Sequence, residues 1–131
     1  AQRGGAQAVT LINTALGMSM NPTTGLPSLG NGGGGLSGRS VHPIAVRAIY
    51  EVAANVPDLP IGGAGGVTSG WEAIELMLAG ASAVQVGTAS FAEPRAMSRI
   101  QREMNAWAKR NDVNAWSEIV GLAHRGGISA L

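Results

Sequence analysis

Short apolar segments recur along the chain, each running into residues that end a strand. Residues 8–12 (AVTLI) are followed by Asn13, whereas residues 60–64 (PIGGA) and 83–87 (AVQVG) run into glycine turns. Short apolar runs bounded by turn residues are typical of buried strands in a parallel sheet. The first two are separated by a long glycine-rich connection, residues 15–42, which we expect to be a functional lid or a disordered loop.

Segments with helical periodicity separate the predicted strands. Residues 43–56 place alanine and aliphatic side chains on one face at the helical period. Ser69 and Glu72 have the spacing of a capping box, in which Ser69 accepts from the Glu72 N–H while Glu72 reaches back. Gly80 is a typical residue at which that helix would stop.

Two further helices are predicted towards the end of the chain. Pro94 opens the first, and its expected buried stripe consists of Met97, Ile100, Met104, Trp107 and Ala108. The second, roughly residues 115–124, would bury Trp116, Ile119, Val120 and Ala123. The order βαβαβαα therefore predicts an α/β fold with a parallel sheet.

Composition narrows the classes of function. The chain has 131 residues, is 45% hydrophobic, is 4% aromatic and carries a formal net charge of +1. Its basic residues are dispersed, except for a group that alternates with Glu93 and Glu103 and is expected to form a solvated helix face: Arg95, Arg99, Arg102, Lys109 and Arg110. This distribution argues against a nucleic-acid partner.

Several kinds of site are excluded by residue type. The sequence contains no cysteine, which removes disulfides, thiolate metal sites and a cysteine nucleophile from these residues. His42 and His124 are far apart and have no second ligand at metal spacing, so no metal site is predicted. No targeting segment or membrane span is visible in the sequence, and we expect a cytoplasmic protein.

The two glycine turns are the strongest indication of a ligand. Gly65-Gly66 and Gly87-Thr88 each follow a predicted strand, with one capped helix between them. In (β/α)8 barrels the loops after strands 7 and 8 form an anion site of this kind, which usually holds phosphate. At Gly65-Gly66 a phosphate would meet free N–H groups and the positive end of a helix dipole. The alternative is that the glycines serve only the geometry of tight turns.

A complete barrel of this kind has about 250 residues. The 131 residues of this chain are therefore expected to form one partial barrel domain over residues 1–131. Asn13-Thr14 lies at the end of the first strand, where barrel enzymes place substrate contacts. Asn13 suits the edge of a planar heterocycle, or alternatively caps its own backbone. His42 is expected at a helix entrance in a structural role.

Five motifs together resemble the C-terminal part of class 1 dihydroorotate dehydrogenase, most closely class 1B. They are INT at residues 12–14, GGLSG at 34–38, HPIAVR at 42–47, GGV at 65–67 and AGASAVQVGTA at 79–89. The resemblance covers about residues 4–110. It implies a (β/α)8 (TIM) barrel that binds FMN, of which strands 6, 7 and 8 are present here.

The resemblance also implies roles for single residues. Asn13 and Thr14 would contact dihydroorotate or orotate, and no catalytic residue is expected in this segment. The resemblance gives roles to eight residues in all, and six of these would contact the cofactor. Ile12 would approach the flavin and Gly38 would contribute to its binding. The FMN phosphate would be held by Gly65, Gly66, Gly87 and Thr88.

The implied reaction is the oxidation of dihydroorotate to orotate in pyrimidine (UMP) biosynthesis. In class 1B the base that removes the C5 proton is a cysteine in the first half of the barrel, and hydride passes from C6 to the flavin. This chain has no cysteine, so the base is absent from it. Class 1B enzymes also pair with a subunit carrying FAD and a [2Fe–2S] cluster, and we expect a homo-oligomer as well.

Two positions depart from the family pattern. Arg39-Ser40 follows the GGLSG motif where relatives more often have Pro-Ala, and Arg39 is expected to perturb the loop or to find a negatively charged neighbour. Gly62 occupies a strand position that relatives usually fill with a bulky apolar residue, which predicts weakened packing of that strand.

Three alternatives remain open from the sequence. The FMN domain of dihydropyrimidine dehydrogenase shares much of the motif set and would act on uracil or thymine. A flavin-free phosphate-binding barrel would keep the glycine turns but leave Asn13-Thr14 and residues 35–38 unexplained. The third alternative is an inactive half-barrel, which would expose two sheet edges and therefore tend to self-associate.

Overall fold

The computed structural model describes residues 1–130. Its strands are β1 (Val9–Leu11), β2 (Ala15–Met18), β3 (Met20–Asn21), β4 (Leu26–Pro27), β5 (Gly33–Leu36), β6 (Ile61–Ala64) and β7 (Ala83–Gln85). The α-helices are α1 (His42–Asn55), α2 (Gly70–Ala79), α3 (Ala89–Ala92) and α4 (Ala96–Arg110). Short 3-10 turns occupy Gln2–Gly4, Arg39–Val41, Trp116–Glu118, Leu122–His124 and Ile128–Ala130.

The three predicted strands form one parallel sheet in the order β1-β6-β7. Val9 pairs with Ile61, and Gly63 lies between Leu11 on one side and Val84 on the other. The predicted α/β architecture with parallel strands is confirmed. Because the strands run in the same direction, their carboxyl ends meet at one edge of the sheet.

Helices α1, α2 and α4 build the core on one face of this sheet. Their apolar side chains pack with strand residues in a cluster of buried residues: Ala45, Ile49, Ile61, Val67, Ala73, Leu76, Ala79, Ala81, Ala96 and Ile100. A second cluster joins α2 and α4 to the end of the chain through Ile74, Met77, Trp107 and Ile119. Met97 was expected in the buried stripe of α4, but it is exposed.

The predicted ends of α2 are confirmed, with one difference. Ser69 Oγ accepts from the Glu72 N–H at 3.4 Å, and the Gly80 N–H donates to the carbonyls of Leu76 and Met77. The Glu72 carboxylate, however, reaches the N–H of Thr68 at 2.8 Å and not that of Ser69. The reason is local: Thr68 offers both its N–H and its hydroxyl to Glu72 Oε2.

The long connection is more ordered than the sequence indicates. Strand β2 pairs antiparallel with β5, and the two short strands between them, β3 and β4, pair antiparallel with each other. Residues 15–36 therefore form a long β-hairpin. The expectation of a disordered loop is therefore wrong, whereas the expectation of a functional lid stays a prediction. Glycine lowers the propensity for strands, and this masks a strand such as Gly33–Leu36, whose backbone nevertheless pairs with β2.

The helix predicted over residues 115–124 is also wrong. Two 3-10 turns replace it, Trp116–Glu118 and Leu122–His124, and Gly121 between them has a left-handed φ of 67°. A left-handed residue breaks the helical hydrogen-bond ladder. Ile119 is still buried as expected, whereas Ala123 is exposed.

The other face of the sheet carries no helix among the described residues. A Cβ at Gly63 would lie 2.8 Å from Ala81 Cβ, on the helix side, whereas a Cβ at Gly62 would lie 3.3 Å from Thr10 Oγ1 and 3.5 Å from Gln85 Nε2. A Cβ at Gly62 would therefore lie on the face away from the helices, and the expectation that Gly62 weakens the packing of its strand stays a prediction. Gly63 is the position where the helices pack against the backbone.

We therefore expect opposite outcomes for two neighbouring substitutions. Gly63→Ala forces a methyl group against Ala81, beneath α1 and α2, and should lower the free energy of unfolding by about 1–3 kcal/mol. Gly62→Ala, the matched control, should change it by less than about 1 kcal/mol. Urea unfolding of both variants measures the difference, and equal losses would contradict the assignment of the two faces.

Candidate functional site

A cleft of about 470 Å³ opens where the three parallel strands end at their carboxyl termini. Its walls come from the residues after β1, β6 and β7 and from the segment that enters α1. All eight residues singled out from the sequence line it: Ile12, Asn13, Thr14, Gly38, Gly65, Gly66, Gly87 and Thr88. The fold thus brings into one cavity segments that are far apart in the chain, from Ile12 to Ala92.

The turn after β6 is fixed by close packing. Gly65 and Gly66 have φ of 133° and 68°, a region that side chains other than glycine rarely adopt. A Cβ at Gly65 would lie 2.7 Å from Ala45 Cβ, and one at Gly66 would lie 2.8 Å from Gly38 O. Both glycines are therefore required by the fold itself. This agrees with the alternative that they serve the geometry of a tight turn.

A hydrogen bond from the His42 side chain connects this turn to the start of α1. It is buried at the start of the helix, and its Nδ1–H donates to Gly65 O at 2.8 Å. Its Nε2 lies 3.1 Å from Glu75 Oε2 on α2. The structural role expected for His42 agrees with these contacts, which tie the glycine turn to two helices.

The turn after β7 differs from the first. A Cβ at Gly87 would meet no atom within 4 Å, so packing does not require glycine there. Thr88 next to it is exposed and lies beside Gly38, where an added Cβ would be 3.8 Å from Thr88 Cγ2. Open space beside an N–H group at the cleft is the arrangement that a bound anion needs.

At the end of β1, Asn13 and Thr14 line the cleft and are exposed. Asn13 Oδ1 accepts from the Thr14 N–H at 2.8 Å, which is the local cap considered as the alternative from the sequence. This bond leaves the amide NH2 group of Asn13 as its available donor. Thr14 packs on the hairpin, since a Cβ at Gly35 would lie 2.7 Å from Thr14 Cβ.

The start of α2 does not provide the free N–H groups that were expected for a phosphate. Glu72 Oε2 accepts from the Thr68 N–H at 2.8 Å, and Glu103 Oε2 accepts from the Gly70 N–H at 2.6 Å. Two carboxylates of the chain itself thus occupy the positive end of this helix. These two N–H groups are therefore not free for a ligand, and the role of the α2 dipole at the Gly65-Gly66 turn stays a prediction.

Glu72 is the more enclosed of the two carboxylates. Burial opposes its ionisation, but hydrogen bonds from Thr68 and Ser69 and the nearby Arg39 guanidinium outweigh burial and hold its pKa below the usual value. Arg39 Nε lies 2.9 Å from Glu72 Oε1. Arg39 has therefore found the negatively charged neighbour that the sequence analysis expected.

Glu103 belongs to a network that connects α4 with α2. The hydrogen bond from the Gly70 N–H, followed by one from Arg99, lowers its pKa. Arg99 also binds Glu93 at 2.8 Å and donates to Thr68 O at 3.0 Å. Of the basic residues on α4, Arg99 therefore forms structural ion pairs with Glu93 and Glu103.

The comparisons with known proteins agree with the motifs. The family model described as dihydroorotate dehydrogenase matches residues 1–107. The chain belongs to the dihydroorotate dehydrogenase family. Members of this family are flavin-dependent enzymes, and the residues predicted to hold flavin are those that line the cleft.

Individual relatives match between 73% and 96% of this chain. The Carboxydothermus hydrogenoformans protein named dihydroorotate dehydrogenase B (NAD(+)), catalytic subunit, is 42% identical over 96% of this chain and 41% of its own length. The Methanosarcina mazei protein of the same name is 43% identical over 95% of this chain and 39% of its own length. A Pediococcus pentosaceus protein provisionally named dihydroorotate dehydrogenase A (fumarate) is 54% identical over 73% of this chain and 31% of its own.

The chain spans about two fifths of the length of the first two relatives. A crystal structure of the Eimeria tenella dihydroorotate dehydrogenase in complex with ferulenol has a similar fold, with a TM-score of 0.78 and 24% identity. That likeness covers 95% of this chain and 33% of the other. No helix within residues 1–130 is long and apolar enough to cross a membrane.

Sequence reasoning missed some residues of the cleft. Gln85 and Ser37 also line it. A polar residue within an apolar strand was a signal for Gln85, and Ser37 lies in the GGLSG motif on which the family resemblance partly rests. Glu103 gave no signal, because its contact with Gly70 joins residues 33 positions apart.

Acid should weaken the anchoring of α2. The pKa of Glu103 is lower in the folded chain than the ordinary value of 4.5, so its ionised form stabilises the fold above that pH, and this stabilisation is lost as the pH falls through the lowered pKa. Glu103→Gln should therefore be less stable than wild type at pH 7 and lose less stability on acidification. Urea unfolding between pH 7 and pH 3 measures this, with Glu51→Gln on exposed α1 surface as control. Parallel profiles for wild type and Glu103→Gln would contradict it.

Proposed function

We propose that this chain is part of a dihydroorotate dehydrogenase that oxidises dihydroorotate to orotate in pyrimidine biosynthesis, with its cleft holding FMN. One observation carries the proposal: all eight residues to which the family pattern gives a ligand role line a single cleft. The relatives named above all carry dihydroorotate dehydrogenase names, which favours dihydroorotate over uracil or thymine.

The parallel order β1-β6-β7 corresponds, in this proposal, to strands 6, 7 and 8 of a (β/α)8 barrel. Helices cover one face of the sheet, as they cover the outside of such a barrel, and the cleft lies at the carboxyl ends of the strands. The other strands would come from the remaining three fifths of a protein as long as the relatives.

The cleft fits FMN in size and in donor chemistry. Its volume of about 470 Å³ lies within the range of about 300–1,000 Å³ typical of small-molecule sites. Gly87 stands beside open space that a Cβ would fill, although packing does not demand glycine there. An approaching phosphate explains this glycine, because only a bare backbone lets the anion reach the N–H.

In this proposal Gly65, Gly66, Gly87 and Thr88 bind the phosphate through backbone N–H groups and the Thr88 hydroxyl. Ile12 and Gly38 form the walls against which the rest of the cofactor rests. Bound FMN supplies a hydride acceptor. The part of this chain in the reaction is to position the cofactor and exclude water around it.

Asn13 and Thr14 would orient the substrate in the same cleft. The Asn13 amide NH2 donates to an oxygen of the dihydroorotate ring, and the Thr14 hydroxyl supplies a second polar contact. The base that takes the C5 proton is not in this chain, which contains no cysteine. We place that base on the remaining part of the barrel.

The electron acceptor follows, in this proposal, the NAD(+)-linked B type. Two relatives of that type are named catalytic subunits, a name that implies a partner subunit for those proteins. For this chain we propose the same arrangement, with an FAD and [2Fe–2S] subunit as partner and the catalytic part as a homo-oligomer. The cytoplasmic location stays a prediction.

The first test is for flavin binding and turnover. We expect FMN, added to the purified chain or to the chain combined with the part of the Carboxydothermus relative that it does not match, to bind and to be recovered as FMN after denaturation. Dihydroorotate should be oxidised only by the combined form, because the base is missing from the chain. A combined form that folds but binds no FMN would contradict the proposal.

The second test concerns Gly87. Gly87→Ala should weaken FMN binding about tenfold or more, because its methyl group fills the space beside the phosphate and removes a charge-assisted hydrogen bond. Thermal stability should stay within a few degrees of wild type. Gly30→Ala is the matched control, since its Cβ also meets nothing within 4 Å but lies outside the cleft. Equal FMN affinity in all three proteins would contradict this role of Gly87.

A further inference from the structure

Arg39 is the one charged residue among those that line the cleft within residues 1–130, and it also lines a second cavity, between α1 and α2, together with Glu72. The other lining residues are apolar, small or neutral polar, so the phosphate donors proposed above are backbone groups and one hydroxyl. The family pattern described from the sequence more often has proline at this position, so the contact described below is not part of that pattern.

The backbone places Arg39 between the two glycine turns. It follows Gly38 directly, and a Cβ at Gly66 would lie 2.8 Å from Gly38 O. On the other side, a Cβ at Gly38 would lie 3.8 Å from Thr88 Cγ2. The side chain of Arg39 thus leaves the backbone at the point where both turns meet.

One end of the guanidinium is anchored and the rest is available. Arg39 Nε lies 2.9 Å from Glu72 Oε1, where the Glu72 side chain is 6% exposed and that of Arg39 is 80% exposed. A guanidinium has five N–H donors in a planar fork, and Nε accounts for one. The contact with Glu72 is an ion pair, and no hydrogen bond of the Arg39 side chain is present in the described part of the chain, so its terminal Nη groups are open to a ligand.

We propose that Arg39 binds the phosphate of FMN through its terminal Nη groups while Glu72 holds its Nε, and so makes the cleft selective for the phosphorylated flavin. This inference rests on the proposed function. It adds a charged contact to a site otherwise built from backbone donors. A bidentate guanidinium suits phosphate in both charge and geometry.

Arg39 also neutralises part of the negative charge that Glu72 places near the cleft. The Glu72 carboxylate lies directly behind Thr68, a residue of the cleft wall, and accepts from its N–H and hydroxyl. Without Arg39, the Glu72 carboxylate behind this wall would lose its cationic partner. Because like charges repel, an unpaired Glu72 would disfavour a phosphate in the cleft.

The experiment compares FMN with riboflavin, which lacks the phosphate, in the combined form described above. R39Q should bind FMN about tenfold more weakly than wild type and riboflavin equally well. R39K keeps the charge without the fork and should lie between the two for FMN. The FMN affinity of R39Q should also depend less on salt concentration than that of wild type.

R47Q is the matched control. Arg47 is 81% exposed and its Nε lies 2.8 Å from Glu51 Oε1, so its pairing resembles that of Arg39, but it lies on α1 outside the cleft. It should leave the binding of both flavins unchanged. A loss of FMN affinity in R47Q equal to that in R39Q would overturn the proposal, because general surface charge would then explain both.

The remaining outcomes separate this inference from the function on which it rests. Unchanged FMN binding in R39Q overturns the role of Arg39 and leaves the flavoenzyme intact. Equal losses for FMN and riboflavin, or weaker binding of orotate alone, also overturn it, because the phosphate would not be the group recognised. A wild type that binds neither flavin overturns the proposed function and this inference together. If R39Q does not fold, R39K gives the same comparison.

Discussion

The close approach of the segment entering α1 to the turn after β6 is the contact on which the site depends. Gly66 has no room for a side chain against Gly38 O and His42, and His42 donates to Gly65 O. The contact fixes where α1 begins and where β6 ends. It also sets the cleft wall and the point at which Arg39 leaves the backbone, so a single crowded turn links fold and site.

The electrostatics of the cleft follow from how α2 is capped. Helix N-termini are ready anion sites, but here the chain has filled its own with Glu72 and Glu103. These carboxylates gain hydrogen bonds and stabilise the helix, at the cost of negative charge near the cleft. Backbone N–H groups of the two turns and the guanidinium of Arg39 are the donors that remain for a ligand phosphate.

The sequence predicted the parts of the fold in which local pattern and tertiary structure agree. The strands around residues 9–11, 61–64 and 83–85, the Ser69 cap and the Gly80 stop were all predictable, because apolar periodicity and capping are local properties. Strand β5 was not, since Gly33–Leu36 has the composition of a loop and becomes a strand only by pairing with β2. The bond from Gly70 to Glu103 depends on the packing of α4 against α2 and leaves no trace in either segment alone.

The two glycine turns show why residue type alone does not identify a ligand site. Glycine at residues 65 and 66 is required by positive φ and by neighbours closer than 3 Å, so a fold without ligand would keep it. Glycine at residue 87 meets no such neighbour. Unlike Gly30, which is equally unhindered, Gly87 lines the cleft, and the proposed phosphate accounts for a bare backbone there. The ligand is therefore better inferred from the glycine that the fold does not need than from the two that it does.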